Sequence, residues 1–383
     1  SKNFLLCICC LNVYFLDNMN IVYVITGLSL GGAETITVCL ANEMRRRGHH
    51  VAILYLTGEN WFKDRIDRDI IVQSLGLSKN PFSLLKAQLK AKQFLKVFSP
   101  QVVHGNMVHA NIFVRLLRLH CHIPLLISTE HNKNIEGRLR MKIYQYTDFL
   151  SDINTNVSRE ATTYFIQEKA FGRNKSRTVY NGIDLVRFGR NEDKRLKIRI
   201  QYSVSNNEFL FLNVARLTPA KDHVNLLLAF KETCSICPDI KLLIVGDGEL
   251  KKELEEKVKE LKLINNVIFA GAHIHIEDYY SAADCFVLSS AWEGFGLVLA
   301  EAMAANLPVL TTDAGGCAEV VDDYEYVVPT HDPFLLADKM KKIVIMSPEE
   351  REQLGNTNKD KAKRFDINSI VKEWEDLYLG YLQ

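Results

Sequence analysis

The stretch Asp284-Cys-Phe-Val-Leu-Ser-Ser-Ala-Trp-Glu293-Gly-Phe-Gly-Leu-Val-Leu-Ala-Glu301 reads as a strand, a glycine turn and a helix in immediate succession. Cys285–Leu288 is a short apolar run of strand type. Leu297 to Ala305 is an apolar helical run. Two carboxylates, Glu293 and Glu301, stand eight residues apart. Glu293 lies in the turn. Glu301 lies inside the apolar run, where a charge is costly to bury unless something hydrogen-bonds it. A strand leading through glycines into a helix N-terminus also welcomes anions. The segment therefore predicts a site for a hydroxyl-rich ligand with a phosphate nearby.

The same alternation runs outward in both directions. Ile21–Thr26, Val51–Leu56, Ile70–Leu75, Val102–His104, Leu125–Ser128, Ile153–Asn156 and Arg177–Val179 read as strands. A second set follows at Phe209–Val214, Lys241–Val245, Val267–Phe269, Cys285–Leu288 and Val309–Thr311. Helical patterns fall between them, at Ala33–Arg47, Pro81–Phe98, Val224–Cys234, Glu249–Leu263 and Pro333–Ile345. Strands alternating with helices of this length predict parallel α/β sheets. The strands are too many for one comfortable sheet, and the pattern restarts at Phe209 after a polar stretch reaching about Ser205. The expectation is two doubly wound, Rossmann-like lobes with a hinge near 182–190. The first would span 19–185 and the second 186–365, after an extension at 1–18. A last helix in 366–383 would follow a polar segment, Lys359–Asp366, and pack back on the first lobe. Ligands of such sheets bind beyond the C-terminal strand ends, so the site is expected in the cleft between lobes.

Composition is that of a soluble globular enzyme, 47% hydrophobic and 24% charged over 383 residues. A net charge of +1 argues against a general nucleic-acid binder. The charge is unevenly placed: residues 1–185 carry 23 Lys+Arg against 14 Asp+Glu, and residues 186–383 carry 24 against 32. A basic first half suits an anionic partner such as a membrane surface; solvated helix faces are the plainer alternative. Nine cysteines in a chain this long do not make a disulfide framework. Cys234-Ser-Ile-Cys237 has no second pair or nearby His to complete a zinc site, and reads as structural. A reducing cytoplasm fits best. Residues 1–18 hold an apolar run, Phe4–Leu16, too short to span a bilayer. It reads as an upstream extension or, less readily, a peripheral anchor.

Four segments follow strands and fall where a cleft ligand would lie. Gly27-Leu-Ser-Leu-Gly31-Gly32-Ala-Glu34 pairs glycines at a helix start, which lets backbone N–H groups approach an anion; it is not G-x-G-x-x-G, and a mere tight turn is the alternative. Asn213-Val-Ala-Arg216-Leu-Thr-Pro-Ala-Lys221-Asp222 sets a fork and a point charge five residues apart, which suits a diphosphate, although a pair of surface cations would look the same. In Val245-Gly246-Asp247-Gly248-Glu249, a helix-capping role for Asp247 or Gly248 comes first and ligand contact second. The fourth is Glu293–Glu301, where a salt bridge between lobes competes as an explanation of Glu301. His131 ends a strand in the first lobe, well placed for a sugar or acceptor. His104 and His109 lack a third ligand and read as structural. Asp67-Arg-Asp69 precedes a strand instead of following one, and reads as a solvated loop.

Together these residues resemble retaining glycosyltransferase family 4, of the two-lobed GT-B fold. Glu293 to Glu301 matches its E-x7-E motif, and Gly31-Gly32-Ala-Glu34 its N-terminal glycine loop. Asn181-Gly-Ile-Asp184 matches its interdomain segment, and Arg216 with Lys221 its diphosphate-binding pair. Val245-Gly-Asp-Gly248 is another familiar block. The matches keep family order over about residues 19–381, and the look is that of bacterial capsule, O-antigen or lipooligosaccharide transferases. The resemblance implies a nucleotide-sugar donor, UDP-linked by expectation, lying across the second lobe. Glu301 would bind the ribose hydroxyls. Glu293 would face the sugar, with Gly294, Phe295 and Gly296 supplying backbone donors; Gly246 and Asp247 would lie along the donor. Arg216 and Lys221 would stabilise the departing diphosphate, and Gly31 and Gly32 would reach it from the first lobe. His131 would lie near the donor sugar. No cofactor and no metal are implied. The acceptor would be a glycan or a polyprenyl-diphosphate-linked oligosaccharide, met by a cytoplasmic enzyme peripheral to the membrane. Asn106 and Asn213 depart from the family pattern, where His and Gly respectively are frequent. A non-transferring sugar-nucleotide epimerase and a silent binding subunit of an assembly complex are the alternatives. The intact set of charged site residues speaks against the silent subunit.

Overall fold

The computed structural model describes residues 18–29, 31–133 and 137–382. The expected extension at 1–18 therefore lies outside the described residues, apart from Asn18. The first sheet has seven parallel strands: β1 (Asn20–Ile25), β2 (His50–Tyr55), β3 (Ile71–Ser74), β4 (Val102–Asn106), β5 (Leu125–Glu130), β6 (Ile153–Asn156) and β7 (Ser176–Thr178). Their order is β3-β2-β1-β4-β5-β6-β7. The second has six: β8 (Phe209–Val214), β9 (Ile240–Val245), β10 (Val267–Gly271), β11 (Cys285–Leu288), β12 (Val309–Thr312) and β13 (Val327–Val328), in the order β10-β9-β8-β11-β12-β13. All pairings are parallel.

Parallel strands covered by helices on both faces must be apolar on both sides. In β1, Ile21, Tyr23 and Ile25 enter one core while Val22 and Val24 enter another. In β8, Leu210, Leu212 and Val214 face one way and Phe211 the other. The strand order reverses between β1 and β4, and again between β8 and β11. Each reversal opens a crevice at the C-terminal strand ends.

The chain crosses between lobes twice, side by side. Ile183 N–H donates to Phe365 O (2.8 Å), and Ile367 N–H donates to Ile183 O (3.0 Å). The helix Ile367–Leu382 then lies against the first sheet. It buries Ile370, Val371, Trp374 and Tyr378 with Ile21, Tyr23 and Val102. Tyr378 Oη bonds His104 Nδ1 at 2.8 Å, and Glu375 binds both His49 and Arg47.

Two segments expected to be polar spacers are helical. Within the stretch after Asp184, Glu192–Gln201 is a helix capped by Asn191, whose Oδ1 accepts from Lys194 N–H (3.0 Å). Its charges are structural: Arg195 and Arg199 both bind Asp284. Most of Lys359–Asp366 belongs to the helix Pro348–Ala362 and a following 3₁₀ turn. That helix opens on a capping box between Ser347 and Glu350, legible in the sequence as S-x-x-E. Cys234 and Cys237 are free thiols, packed against the second lobe's core. Asp69 pairs with Arg45 at the surface, as a solvated loop should.

Candidate active site

The four segments expected along a cleft ligand each follow a strand at or beside the two switch points. On the second lobe, Arg216 leaves β8 and is exposed. Lys221 closes the 3₁₀ turn Pro219–Lys221. Asp222 follows, and its side chain caps the helix His223–Cys234 by accepting from Asn225 N–H. Ser289, just past β11, donates its hydroxyl to the carbonyls of Lys221 and Asp222 at 2.9 and 3.1 Å. The turn carrying Lys221 is thus tied to the loop carrying Glu293. Lys221 Nζ bonds the Glu293 carboxylate directly, and Ser290 Oγ donates to the same carboxylate at 3.1 Å.

Gly246 and Gly248 support the Arg216 loop. Gly246 has φ +151°, and a Cβ there would overlap the Ala215 carbonyl. Leu217 N–H donates to Asp247 O (3.0 Å) and Leu250 N–H to Leu217 O (3.1 Å). The expected capping role of Asp247 or Gly248 is not seen. The helix Lys251–Glu260 has no side-chain cap. The Asp247 carboxylate instead accepts from Gly248 N–H (2.7 Å) and faces Lys251. Asn213 is buried and pins β8 to β11, donating to Val287 O (2.8 Å) while its Oδ1 meets His223 Nε2.

Glu301 lies in the helix Leu297–Ala304 and is buried. Tyr280 donates its hydroxyl to Glu301 Oε2 at 2.7 Å. Burial pushes the Glu301 carboxyl up to about 7; the Tyr280 bond and the nearby Arg187 and Arg65 guanidiniums oppose that rise. No direct salt bridge to Glu301 forms among the described residues, so the competing ion-pair explanation fails. Arg187 pairs with Glu277 instead, at 2.8 Å. Gly296 starts this helix with φ +81°. The Phe295 ring is buried against Tyr180 and Phe365 where the chain crosses between lobes.

On the first lobe, Gly31 precedes the helix Gly32–Arg46. A Cβ on Gly31 would strike the Glu34 carboxylate, whereas one on Gly32 would meet no protein atom within 4 Å. Packing explains the first glycine and leaves the second facing open space. Glu34 is buried, which raises its pKa; its own backbone bond, the charge of Arg216 and the Ser29 hydroxyl work the other way. Arg216, from the second lobe, is near enough for its charge to act on Glu34. His131 follows β5; its Nε2 lies 2.9 Å from Asn106 Oδ1. Its neighbour Glu130 is buried with Tyr144 and Asn111, and burial raises it to about 7.

The lobes touch at backbone distance. A Cβ on Gly294 would overlap the main-chain carbonyl of His131. Glu319, from the second lobe's helix Cys317–Val321, accepts from Arg159 N–H (2.9 Å) and Glu160 N–H (2.8 Å), at the start of the first lobe's helix Arg159–Gln167. Tyr180 Oη donates to it as well, at 3.1 Å. Beside this contact a pocket opens, lined by Lys133, Glu160 and Tyr164 on one side and by Trp292, Glu293 and Asp313 on the other.

The fold thus brings Lys221 to Glu293 and Gly294 to His131, and sets the Arg216 charge where it acts on Glu34. Glu301 has no direct bond to this group; its carboxylate is held by Tyr280 and feels the charges of Arg187 and of Arg65 from the first lobe. Tyr280, Arg187, Glu34 and Glu319 were not singled out as site residues in the sequence, and Asn106 only as a departure from the family pattern. Glu34 stood within a quoted motif, and Arg187 lies three residues beyond Asp184. Tyr280 and Glu319 carry no local signal. Among the described residues, no three His, Cys, Asp or Glu side chains are grouped to hold a metal.

Known proteins resemble this chain in sequence and in fold. Residues 30–187 match the family described as Glycosyltransferase Family 4, and residues 194–361 match Glycosyl transferases group 1. The chain is 26% identical to the Campylobacter jejuni GalNAc-alpha-(1->4)-GalNAc-alpha-(1->3)-diNAcBac-PP-undecaprenol alpha-1,4-N-acetyl-D-galactosaminyltransferase, over 93% of this chain and 97% of the relative. It is 27% identical to the Escherichia coli UDP-Gal:alpha-D-GlcNAc-diphosphoundecaprenol alpha-1,3-galactosyltransferase, over 77% and 79%. The crystal structure of Anabaena HepE in complex with UDP and glucose superposes with a TM-score of 0.84 at 21% identity, covering 95% of this chain and all of that one. With both family signatures in tandem, each on its own parallel-sheet lobe, the chain belongs to the GT-B glycosyltransferases of the family 4 and group 1 type.

Proposed function

We propose that the protein transfers a hexose or N-acetylhexosamine, with retention of configuration, from a UDP-sugar to a lipid-linked or free glycan in bacterial surface polysaccharide synthesis. One observation supports this reading above the others: Arg216 and Lys221 follow β8 in one loop at the second lobe's switch point, where Lys221 is bonded to Glu293 of the next loop, a pair of cations suited to a diphosphate. The relatives' names support the rest, since one acts from UDP-Gal on a diphosphoundecaprenol-linked sugar and another on a PP-undecaprenol-linked glycan. In the reaction, the bond from the sugar's anomeric carbon to the diphosphate breaks. The acceptor oxygen attacks from the same face, and its proton passes to the departing phosphate. Arg216, Lys221 and the backbone at Gly31 and Gly32 take up the charge that develops there. Glu293 faces the sugar beside Gly294, Phe295 and Gly296; Gly246 and Asp247 flank the donor's path. Screening UDP- and GDP-sugars for slow hydrolysis and thermal shift tests the class directly. No shift and no hydrolysis with any of them would sink it.

In this reading Glu301 holds the ribose. A buried carboxylate with one protein donor has capacity left for two hydroxyls. Glu301→Gln is expected to weaken UDP-sugar binding about 10-fold or more, as for a lost charged hydrogen bond. A 2′-deoxyribose donor should lose similarly with the wild type and little further with the variant. Simple addition of the two losses would remove the contact. The sign with pH follows. Burial raises Glu301 from the usual carboxylate range to about 7, so its proton favours the folded state. That contribution is full at low pH and lost as pH rises through about 7. Ribose hydroxyls donate to the ionised form, so UDP-sugar affinity should rise from pH 6 to pH 8, and stay flat in Glu301→Gln.

Two further expectations follow. Cationic residues can carry the diphosphate charge, so transfer should persist in excess EDTA; strict loss restored by Mn²⁺ or Mg²⁺ would overturn metal independence. The reading also places the protein in the cytoplasm, peripheral to the membrane. No described helix is long and apolar enough to cross a membrane. The helix Pro81–Phe98 exposes Phe82, Leu85, Leu89 and Val97 beside Lys86, Lys90, Lys92 and Lys96. The three consecutive arginines 45–47, the other conspicuous basic run of this lobe, are instead paired with Asp69, Glu43 and Glu375. Flotation with phosphatidylglycerol liposomes should recover the protein at low salt and lose it at high salt. Equal recovery in the soluble fraction throughout would exclude electrostatic docking.

A further inference from the structure

We infer that Glu319 is the clasp that fixes the spacing of the two lobes for turnover: its carboxylate holds the first turn of the first lobe's helix Arg159–Gln167 and so sets the width of the pocket beside Glu293. The consequence for transfer rests on the transferase reading above. A helix leaves its first N–H groups without partners of its own. The N-cap Ser158 serves one of them, accepting from Ala161 N–H at 3.2 Å. The N–H groups of Arg159 and Glu160 donate instead to the two oxygens of Glu319, to Oε2 at 2.9 Å and to Oε1 at 2.8 Å. The acceptor thus comes from the opposite lobe, and a carboxylate suits the positive end of a helix dipole. Tyr180, just ahead of the first crossing at Ile183, adds its hydroxyl to Oε2 at 3.1 Å.

Glu319 is itself held from behind. Arg364 Nη2 donates to the main-chain carbonyls of Glu319 and Val320, at 2.8 and 2.7 Å. Arg364 directly precedes Phe365, whose carbonyl accepts from Ile183 N–H at the paired crossings. One residue therefore ties the first lobe's helix and Tyr180, through its side chain, to the second crossing, through its main chain. The approach is close: a Cβ on Gly316 would lie 2.9 Å from Ser158 Cβ, so the two helix starts meet with no room for a side chain between them. The clasped helix also forms one wall of the pocket, with Glu160 and Tyr164. The other wall holds Glu293 and Asp313–Gly315, which lead into the helix carrying Glu319. A shift of one helix against the other changes the gap that Glu293 faces. Glu319 touches no reacting atom and is a positioning residue.

The test has two arms on the full chain. Its main variant is Glu319→Gln, which keeps the shape but sets an NH₂ group, unable to accept, against one of the two backbone N–H groups. The first arm needs no substrate. Hydrogen exchange of the Arg159 and Glu160 amides should be about tenfold faster in Glu319→Gln than in the wild type, as for a lost charged hydrogen bond, and the radius of gyration in X-ray scattering should rise. Unchanged exchange or unchanged scattering overturns the clasp. The second arm is kinetic. In Glu319→Gln, kcat should fall about tenfold while the Kd for UDP stays within about threefold, since the second lobe's own nucleotide contacts are left in place. Arg159→Pro breaks the same bond from the other lobe: a proline fits the first helical position but brings no N–H. Its kcat should be about threefold below that of Arg159→Ala, which keeps the N–H donor. Wild-type kcat in Glu319→Gln, a loss of UDP affinity as large as that in kcat, or equal kcat in the two Arg159 variants sinks the proposal while transfer stands. Absence of hydrolysis and transfer with every UDP-sugar tried would instead sink the transferase reading, and exchange and scattering would still decide whether Glu319 holds the lobes.

Discussion

Arg216→Ala and Lys221→Ala are each expected to lower kcat about 10²-fold or more, the cost of removing one preorganised donor from a developing charge. The two should differ in their side effects. Arg216 is exposed, so its loss should leave the melting temperature unchanged. Lys221 is bonded to Glu293, a carboxylate whose side chain is only 12% exposed. Removing Lys221 leaves that charge with Ser290 alone and should cost some stability as well as rate. The double variant should be less impaired than the product of the singles, because both act on one leaving group. Steady-state kinetics and thermal melts on the four proteins decide the matter. Near-normal turnover in both single variants would remove the diphosphate role.

Gly294→Ala is expected to reduce turnover to a similar degree with a single methyl group. The obstacle lies in the opposite lobe, where the new Cβ would run into the His131 backbone, which cannot rotate away. The lobes would have to stand further apart, and a displacement of about 1 Å at a reacting centre can cost 10²-fold. UDP-sugar affinity should fall less than turnover, because Glu301 and Tyr280, which hold the ribose in this reading, are not displaced. The loss should therefore appear in kcat. Gly380→Ala is the control: a Cβ there meets nothing within 4 Å. Wild-type kcat for Gly294→Ala would show that turnover does not need this approach of the lobes.

The architecture was legible because its signals are local. Strands β8 and β11 fall where β-rich apolar runs marked them, and the helices from Pro81 and Pro333 begin at prolines behind the caps Asn80 and Asp332. The helix Glu192–Gln201 was illegible for a physical reason. Its arginines reach carbonyls and Asp284 in the second lobe, so a sequence polar on nearly every face is still held in place. β13 is two residues long and has no pattern to read. At the site, the loops were visible as glycines and charges after strands, but their partners were not. Tyr280 meets Glu301 across 21 residues, and Asn106 meets His131 across 25. Glu319 meets the Arg159 backbone across 160. The first two pairs form only when elements of one lobe pack together, and the third only when the two lobes meet.

The closing helix also sets a schedule for synthesis. Residues 367–382 complete the first lobe's core with Trp374 and Tyr378, yet they are made after the whole of the second lobe. At about 5–20 residues per second, the first sheet waits roughly 10–40 s between the emergence of β7 and that of its last helix. Throughout that interval the apolar face around Ile21, Tyr23 and Val102 is only partly covered, by the helix Gly32–Arg46, and His104 lacks its tyrosine. The second lobe's strands need no later segment and can pair first. Maturation thus runs in the reverse of the order of translation, and the nascent first lobe is the stage at which a chaperone has the most surface to hold.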